Sequence, residues 1–514
     1  MHRVCLVQKK RYFDSMFLMQ ISQRLRNESG IKEAAVLMGT PANVQILRDL
    51  GFSCPDLAKA GPDDLVIAVA GETEAQVSQA LAKLEGWLVS GRTGVEGAPK
   101  TLVQALAHLP QANIAVISLP GWHAGREARN ALEHGLHVFL FSSNVPVEEE
   151  LALKRLGQEK GLLVMGPDCG TAIVAGVGLG FANVVRRGPV GLIAASGTGA
   201  QEFTSLIHRA GSGISHAIGT GSRDFSDSIG GITALAAFAA LQEDPQTQVI
   251  VFLAKPPGLQ TFSRLVAEVK RSKKPVVACF LGLIPEKLRR EWPGKLGSTI
   301  DEAVVATLEI LGVPCPPFLL YRPEDVVQLA AAEKMRLLPQ QRFVRGIFSG
   351  GTFCYQAQLL FHSARVPFRS NAPLSEEYAL ATPLRSEGHT LLDMGDEFFT
   401  QGRLHPMIDP SLRRERILAE AEDPEVAVLL LDFVLGYNAS PDPVGDLLPA
   451  MQEAREKVRK RGGDLILATS VCGTEADPQG FARQVERLEE IGALVFPTQA
   501  QATRFALALV GRSR

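Results

Sequence analysis

Two short segments carry the residue types that bind anions. Ser196-Gly197-Thr198-Gly199 and Ser349-Gly350-Gly351-Thr352 each follow an apolar run and precede a helical pattern. At such a strand-to-helix turn the first amides of the helix are unpaired and carry partial positive charge. Glycine lets an anion approach that backbone, and a Ser or Thr hydroxyl adds a donor. Ser196, Gly197, Thr198, Gly350, Gly351 and Thr352 are therefore expected to converge on one phosphate-like anion. Ordinary tight turns are the alternative. The segments around them, Ile193 to Glu202 and Ile347 to Gln356, also read as a weak internal repeat.

Other polar clusters end apolar runs. Leu392-Asp-Met-Gly-Asp-Glu397 places three carboxylates after a strand pattern, and Gly402-Arg-Leu-His-Pro-Met-Ile-Asp409 adds a cation, an imidazole and a carboxylate. Arg403 could grip a carboxylate with two parallel bonds. His405 could exchange a proton near neutral pH. Asp409 could orient one of them, and with Asp393 these form the candidate catalytic set. Asx turns and a surface ion pair are the bland alternative. Asp168, Cys169 and Asn183 around one turn, and Gly473 and Thr474 at another strand end, are candidate substrate contacts. Cys169 would be a nucleophile only if a helix terminus lowered its pKa. His134 and His137 lack a third ligand, so no metal is expected. There is no G-x-x-x-x-G-K-[ST] segment, and Gly197-Thr-Gly199-Ala-Gln-Glu202 has two of the three dinucleotide-fold glycines, with Glu202 in place of the third.

The elements that position these residues alternate along all 514 residues. Candidate strands include Val4–Val7, Leu65–Val69, Ile114–Ser118, Val190–Ala194, Val249–Leu253, Val276–Phe280 and Val426–Leu431, the last within a run interrupted by Asp432. Helical patterns such as Ala124–His134, Glu202–Ala210, Phe262–Lys270 and Phe481–Ile491 lie between strands. That alternation predicts α/β architecture with parallel sheets covered on both faces. Breaks near 186 and across the proline-rich Val313–Pro317, continued as a linker to about Pro339, divide the chain into 1–185, 186–339 and 340–514. Gly86–Pro99 reads as a surface loop. The 53 basic and 55 acidic residues give a net charge of -2, against a nucleic-acid binder. No apolar run of about 18 residues suggests a membrane span, and no apolar leader follows Met1. Seven scattered cysteines, with no C-x-x-C, suggest reduced thiols and a cytoplasmic setting.

Laid in order, Asp14-Ser15, Met38-Gly-Thr-Pro-Ala-Asn43, Val164-Met-Gly-Pro-Asp-Cys-Gly170, Ala195-Ser-Gly-Thr198, Ala217-Ile-Gly219 and His405-Pro-Met-Ile-Asp-Pro410 resemble the FdrA family across essentially the whole chain. That family is in turn similar to succinyl-CoA synthetase. Residues 110–310 resemble its α subunit and 342–510 the carboxyl-terminal ligase domain of its β subunit. The resemblance implies three doubly wound, Rossmann- or flavodoxin-like domains: a CoA-binding type, an α-type ligase and a β-type ligase. It also implies two helices pointing their N-termini at one phosphoryl group. The nucleotide-grasp (ATP-grasp) domain has no counterpart. No histidine stands between Leu281 and Val304 to match the phosphorylated one, and Lys255 stands where acidity is expected. What the resemblance implies for function is acyl or carbamoyl transfer through an acyl phosphate. Oxamate carbamoyltransferase of allantoin breakdown is first, an acyl-CoA synthetase needing a separate grasp subunit second, and a non-catalytic scaffold third. Phosphate or carbamoyl phosphate, CoA as a further candidate, a small acyl or carbamoyl substrate, further protein subunits and an oligomer go with it.

Overall fold

The computed structural model describes residues 2–511 except 12, 14, 27, 50, 91–98, 120, 401 and 402. Asp14, Gly402 and most of the expected loop Gly86–Pro99 thus lie outside the described residues. The helix Glu74–Ser90 runs through the first part of that loop, because Leu84 and Leu88, four residues apart, continue its buried stripe. The chain forms two compact units. One holds Met1–His108 with Thr400–Leu404, the other Leu109–Phe399 with His405–Arg514.

The smaller unit departs from the expected parallel sheet. Strands β1 (His2–Gln8), β2 (Ile31–Met38) and β3 (Leu65–Gly71) lie in the order β1-β3-β2, and β3 runs antiparallel to both neighbours. The crossover through the helix Ser15–Arg26 leaves a gap between β1 and β2 that β3 fills. Every residue of β3 is buried. Leu65, Ile67 and Val69 face one hydrophobic cluster, Val66, Ala68 and Ala70 another. An apolar run reports cover on both faces, not strand direction, and that is why the sequence pattern alone suggested a parallel strand.

The larger unit has the expected α/β architecture with parallel sheets. A small parallel sheet holds β4 (Ile114–Ile117), β5 (His137–Leu140) and β6 (Val164–Met165). Next comes a seven-stranded sheet of β7 (Thr171–Val174), β8 (Val177–Gly180), β9 (Arg187–Ala194), β10 (Ile214–Gly219), β11 (Val249–Ala254), β12 (Val276–Phe280) and β13 (Lys295–Gly297). Its order is β13-β12-β11-β9-β10-β7-β8. β9 to β13 are parallel, and the hairpin β7-β8 joins the edge antiparallel. The chain therefore enters this sheet before the break near 186.

The last sheet is wholly parallel: β14 (Phe343–Phe348), β15 (Arg369–Ser370), β16 (Thr390–Asp393), β17 (Val426–Val434), β18 (Ile466–Cys472) and β19 (Leu494–Phe496), ordered β15-β16-β14-β17-β18-β19. The expected linker to Pro339 contains a helix, Pro323–Lys334, packed on the helix Gln499–Val510. Its start signals are in the sequence: Pro323 at the first helical position, then Glu324 and Asp325. Among the described residues no helix is long and apolar enough to cross a membrane.

Candidate anion site between two helix N-termini

The seven- and six-stranded sheets each deliver one glycine-rich turn to the same place. β9 runs into the helix Gly197–Arg209, and β14 into the helix Gly351–Ser363. Ser196 caps the first helix, its hydroxyl accepting from the Gly199 amide at 3.1 Å. The same hydroxyl also bonds Thr352 Oγ1 at the start of the second helix. On the other side, a Cβ built on Gly350 would stand 2.3 Å from Thr198 Cγ2. Glycine at 350 is thus required by close approach of the two turns. The amides of Gly197, Thr198, Gly351 and Thr352 have no hydrogen-bond partner among the described residues. The six residues expected to converge do stand together.

Three groups surround the paired turns. Asp393 ends β16 with its backbone held both ways by Asn371, at 2.9 and 3.0 Å. Its carboxylate accepts from the Gly395 amide at 2.9 Å and lies against Gly351, where an added Cβ would be 2.5 Å from Oδ2. Burial, with Asp396 and Asp432 nearby, raises this carboxyl to about 7 despite the Gly395 bond and the charge of Lys255. His405 is largely buried, its ring 5.7 Å from that of Phe181. Burial lowers it to about 4, so the imidazole is neutral near pH 7. Its Nδ1 accepts from the Met407 amide at 3.3 Å, leaving the proton on Nε2, the nitrogen nearest Gly395. Lys255, just beyond β11, is exposed and sits 3.8 Å from the centre of the Tyr355 ring on the second helix.

Behind the second turn lies a buried ion pair. The Ser349 amide donates to Asp432 Oδ1 at 2.8 Å, and its hydroxyl donates to Oδ2 of the same carboxylate. Arg413 meets Asp432 Oδ1 at 3.1 Å and bonds the carbonyls of Ile347 and Asp432, each at 2.8 Å. Burial pushes the Arg413 pKa down, and Asp432 opposes that shift.

Comparison with known proteins assigns the chain to a family. Residues 1–101 match the model described as AllF, heavy metal-associated domain, and 347–509 the one described as CoA-ligase. The uncharacterized protein YahF of Escherichia coli K12 is 40% identical over 95% of each chain. The chain belongs to the FdrA family. The succinate–CoA ligase α subunit 1 of Archaeoglobus fulgidus is 28% identical over 48% of this chain and 85% of its own. A solved ATP citrate lyase from Methanothrix soehngenii, in complex with citrate and coenzyme A, aligns over 80% of this chain and 84% of its own, at 15% identity and a TM-score of 0.37.

Other expected site residues of this FdrA-family chain have different tasks. Arg403 is exposed and falls with the amino-terminal unit, whereas His405 and Asp409 lie in the larger one. Asp409 Oδ1 accepts from the Ser411 amide at 3.0 Å, at the start of the helix Ser411–Glu420. Cys169 is core: its thiol faces the Thr171 carbonyl at 3.6 Å and burial pushes it up to about 12, which excludes a ready nucleophile. Asn183 and Thr474 clasp the two large sheets. Asn183 bonds the Leu435 carbonyl and Asp477, and Thr474 bonds the Val184 carbonyl at 2.7 Å. Gly473 packs on Leu435. Asn183, Gly473 and Thr474 are therefore spent on domain packing rather than presented to a substrate. Asp168 is exposed, accepts from Ser143 at 3.1 Å, and acts electrostatically on His405. Glu202, in place of the third dinucleotide-fold glycine, is buried and faces the Gln499 amide at 3.4 Å.

Lys255, Asn371, Arg413 and Asp432 were missed as site residues. Two signals were visible: Asp432 is the one charge inside an otherwise apolar run, and Lys255 stands just past the expected strand Val249–Leu253.

Proposed function

We propose that this chain is an acyl- or carbamoyl-transferring enzyme subunit that works through a mixed anhydride with phosphate. Its reaction on this reading is that of oxamate carbamoyltransferase: oxalurate and phosphate give oxamate and carbamoyl phosphate. The observation that carries the reading is the contact of Ser196 with Thr352 at the head of two helices from two sheets of one chain. A tetrahedral anion entering there would take both hydroxyls and the four unpaired amides.

A phosphate oxygen would attack the carbamoyl carbon, and the amides would stabilise the oxyanion that forms. One such donor is worth about 2.7–4 kcal/mol in a transition state. The C–N bond to oxamate then breaks, and the leaving nitrogen needs a proton. Asp393, raised to about 7, holds one near neutral pH. Phosphate returns its own proton to Asp393, closing the cycle. His405 donates from Nε2 and does not act as the acid, since it is neutral. Lys255 supplies the positive charge for an anionic substrate.

The CoA-ligase match and the succinate–CoA ligase relative favour a second reading, an acyl-CoA synthetase completed by a separate nucleotide-grasp subunit. The test is carbamoyl phosphate formation from oxalurate and phosphate, with partner subunits present. Asp393→Asn should cut the rate by about 10²–10⁴-fold while phosphate still binds. Acyl-CoA formation dependent on CoA and a grasp subunit, with no carbamoyl phosphate, would transfer the assignment to the second reading.

A further inference from the structure

The amino-terminal unit holds a feature that phosphate chemistry does not use. Cys5 lies on β1 opposite Ala68, and Cys54 lies in the loop after the helix Pro41–Asp49. The fold brings residues 49 positions apart in sequence to a sulfur–sulfur separation of 2.9 Å. Both side chains are partly exposed, so a small reagent can reach them. Both pack at the edge of the cluster built on Val66, Ala68 and Ala70, which holds the loop against the sheet. Of the other five cysteines four are buried, and Cys315 faces the Pro316 carbonyl.

We propose that Cys5 and Cys54 are a site of reversible covalent modification, closing to an intrachain disulfide by exchange with a low-molecular-weight disulfide such as oxidised glutathione. The sulfurs must close from 2.9 Å to a bond of about 2 Å, a small adjustment for a loop residue facing a strand. Burial and the adjacent Cys54 raise the Cys5 thiol to about 12, and Cys54, on the loop, is assigned the first attack. The Cys54 thiolate displaces one glutathione from the reagent. Cys5 then loses its proton to that thiolate and attacks the Cys54 sulfur, expelling the second glutathione. The protein loses two electrons and two protons, and one disulfide becomes two thiols. The new bond closes the chain between β1 and the loop, restricting the unfolded state.

The protein is incubated with oxidised glutathione, alkylated and digested. The expected result is a peptide joining Cys5 to Cys54, loss of two alkylatable thiols, and restoration of both by dithiothreitol. The melting temperature of the amino-terminal unit should rise by several degrees on oxidation and fall back on reduction. Cys5→Ser should stop at a glutathione adduct on Cys54. A stable adduct on Cys54 in the unsubstituted protein, alkylation unchanged by the reagent, or a cross-link that forms only in denaturant would each overturn the proposal.

Discussion

The two glycine-rich turns have nearly the same letters and divide their work differently. In the first, Ser196 is the helix cap and turns its hydroxyl toward the shared site. In the second, Ser349 stands one residue before the cap, Gly350, and both its amide and hydroxyl are held by buried Asp432. The threonines occupy the same helical position, second in each helix, yet Thr352 meets Ser196 while Thr198 packs on Gly350. The contact is quasi-symmetric: cap against second residue, twice, once as a hydroxyl pair and once as a methyl against bare backbone. One turn is held locally by its own cap. The other is held from behind by a charge pair from other elements. Motif resemblance therefore locates both turns but does not say which hydroxyl is presented.

The largest test of that contrast removes the support behind the second turn. Asp432→Ala would leave Arg413 buried without its anion, costing about 3–5 kcal/mol in denaturant unfolding. A loss below about 1 kcal/mol would mean that the second turn is as locally held as the first. Next comes the close approach. Gly350→Ala should cost about 1–3 kcal/mol through collision with Thr198, and Thr198→Ala should recover part of it in a double-mutant cycle. Gly197→Ala is the control: its Cβ would meet Thr171 Oγ1 at 3.4 Å, an ordinary contact, so stability should hardly change. Equal losses at 197 and 350 would contradict the asymmetry. Smaller again is Ser196→Ala, about 1 kcal/mol for the lost cap, with weaker phosphate binding by titration calorimetry.

Sequence pattern located more of this molecule than of its site. The strands β9, β11, β12 and β17 were legible because parallel strands buried on both faces leave unbroken apolar runs, whereas β7, β8, β10 and β13 were not read. The strand β3 was also read, at Leu65–Val69, but its antiparallel direction was not, since its run has the same cause. The paired turns were legible because the anion-binding logic is local. The roles around them were not. Ser349 is anchored by Asp432 and Arg413, which only the β14-β17 pairing and the helix Ser411–Glu420 bring close. Arg403 and His405 look like neighbours in the chain, yet the boundary between the compact units falls at Leu404. Cys5 and Cys54 showed no spacing signal at all, because a crossover and a loop separate them.

The smallest expected effect concerns the charge beside the second turn alone. The Asp393 carboxyl is raised to about 7 chiefly by burial, against an ordinary value near 4. Between about pH 4 and pH 7 the folded chain keeps this proton while the unfolded chain has released it. Stability from this group therefore falls as pH rises through that window. The same ionisation places a negative charge beside Gly351, whose amide an anion would use. Sulfate, whose own charge is fixed there, should bind more weakly as pH climbs through about 7, by less than about tenfold. Asp393→Asn should bind sulfate with little pH dependence at the upper affinity, and should lose the stability slope. Ser196→Ala should keep the pH dependence, because the first turn has no carboxyl against its amides. Unsubstituted protein binding sulfate equally at about pH 6 and about pH 8 would mean that the anion avoids the second turn. The first turn would then carry the site by itself.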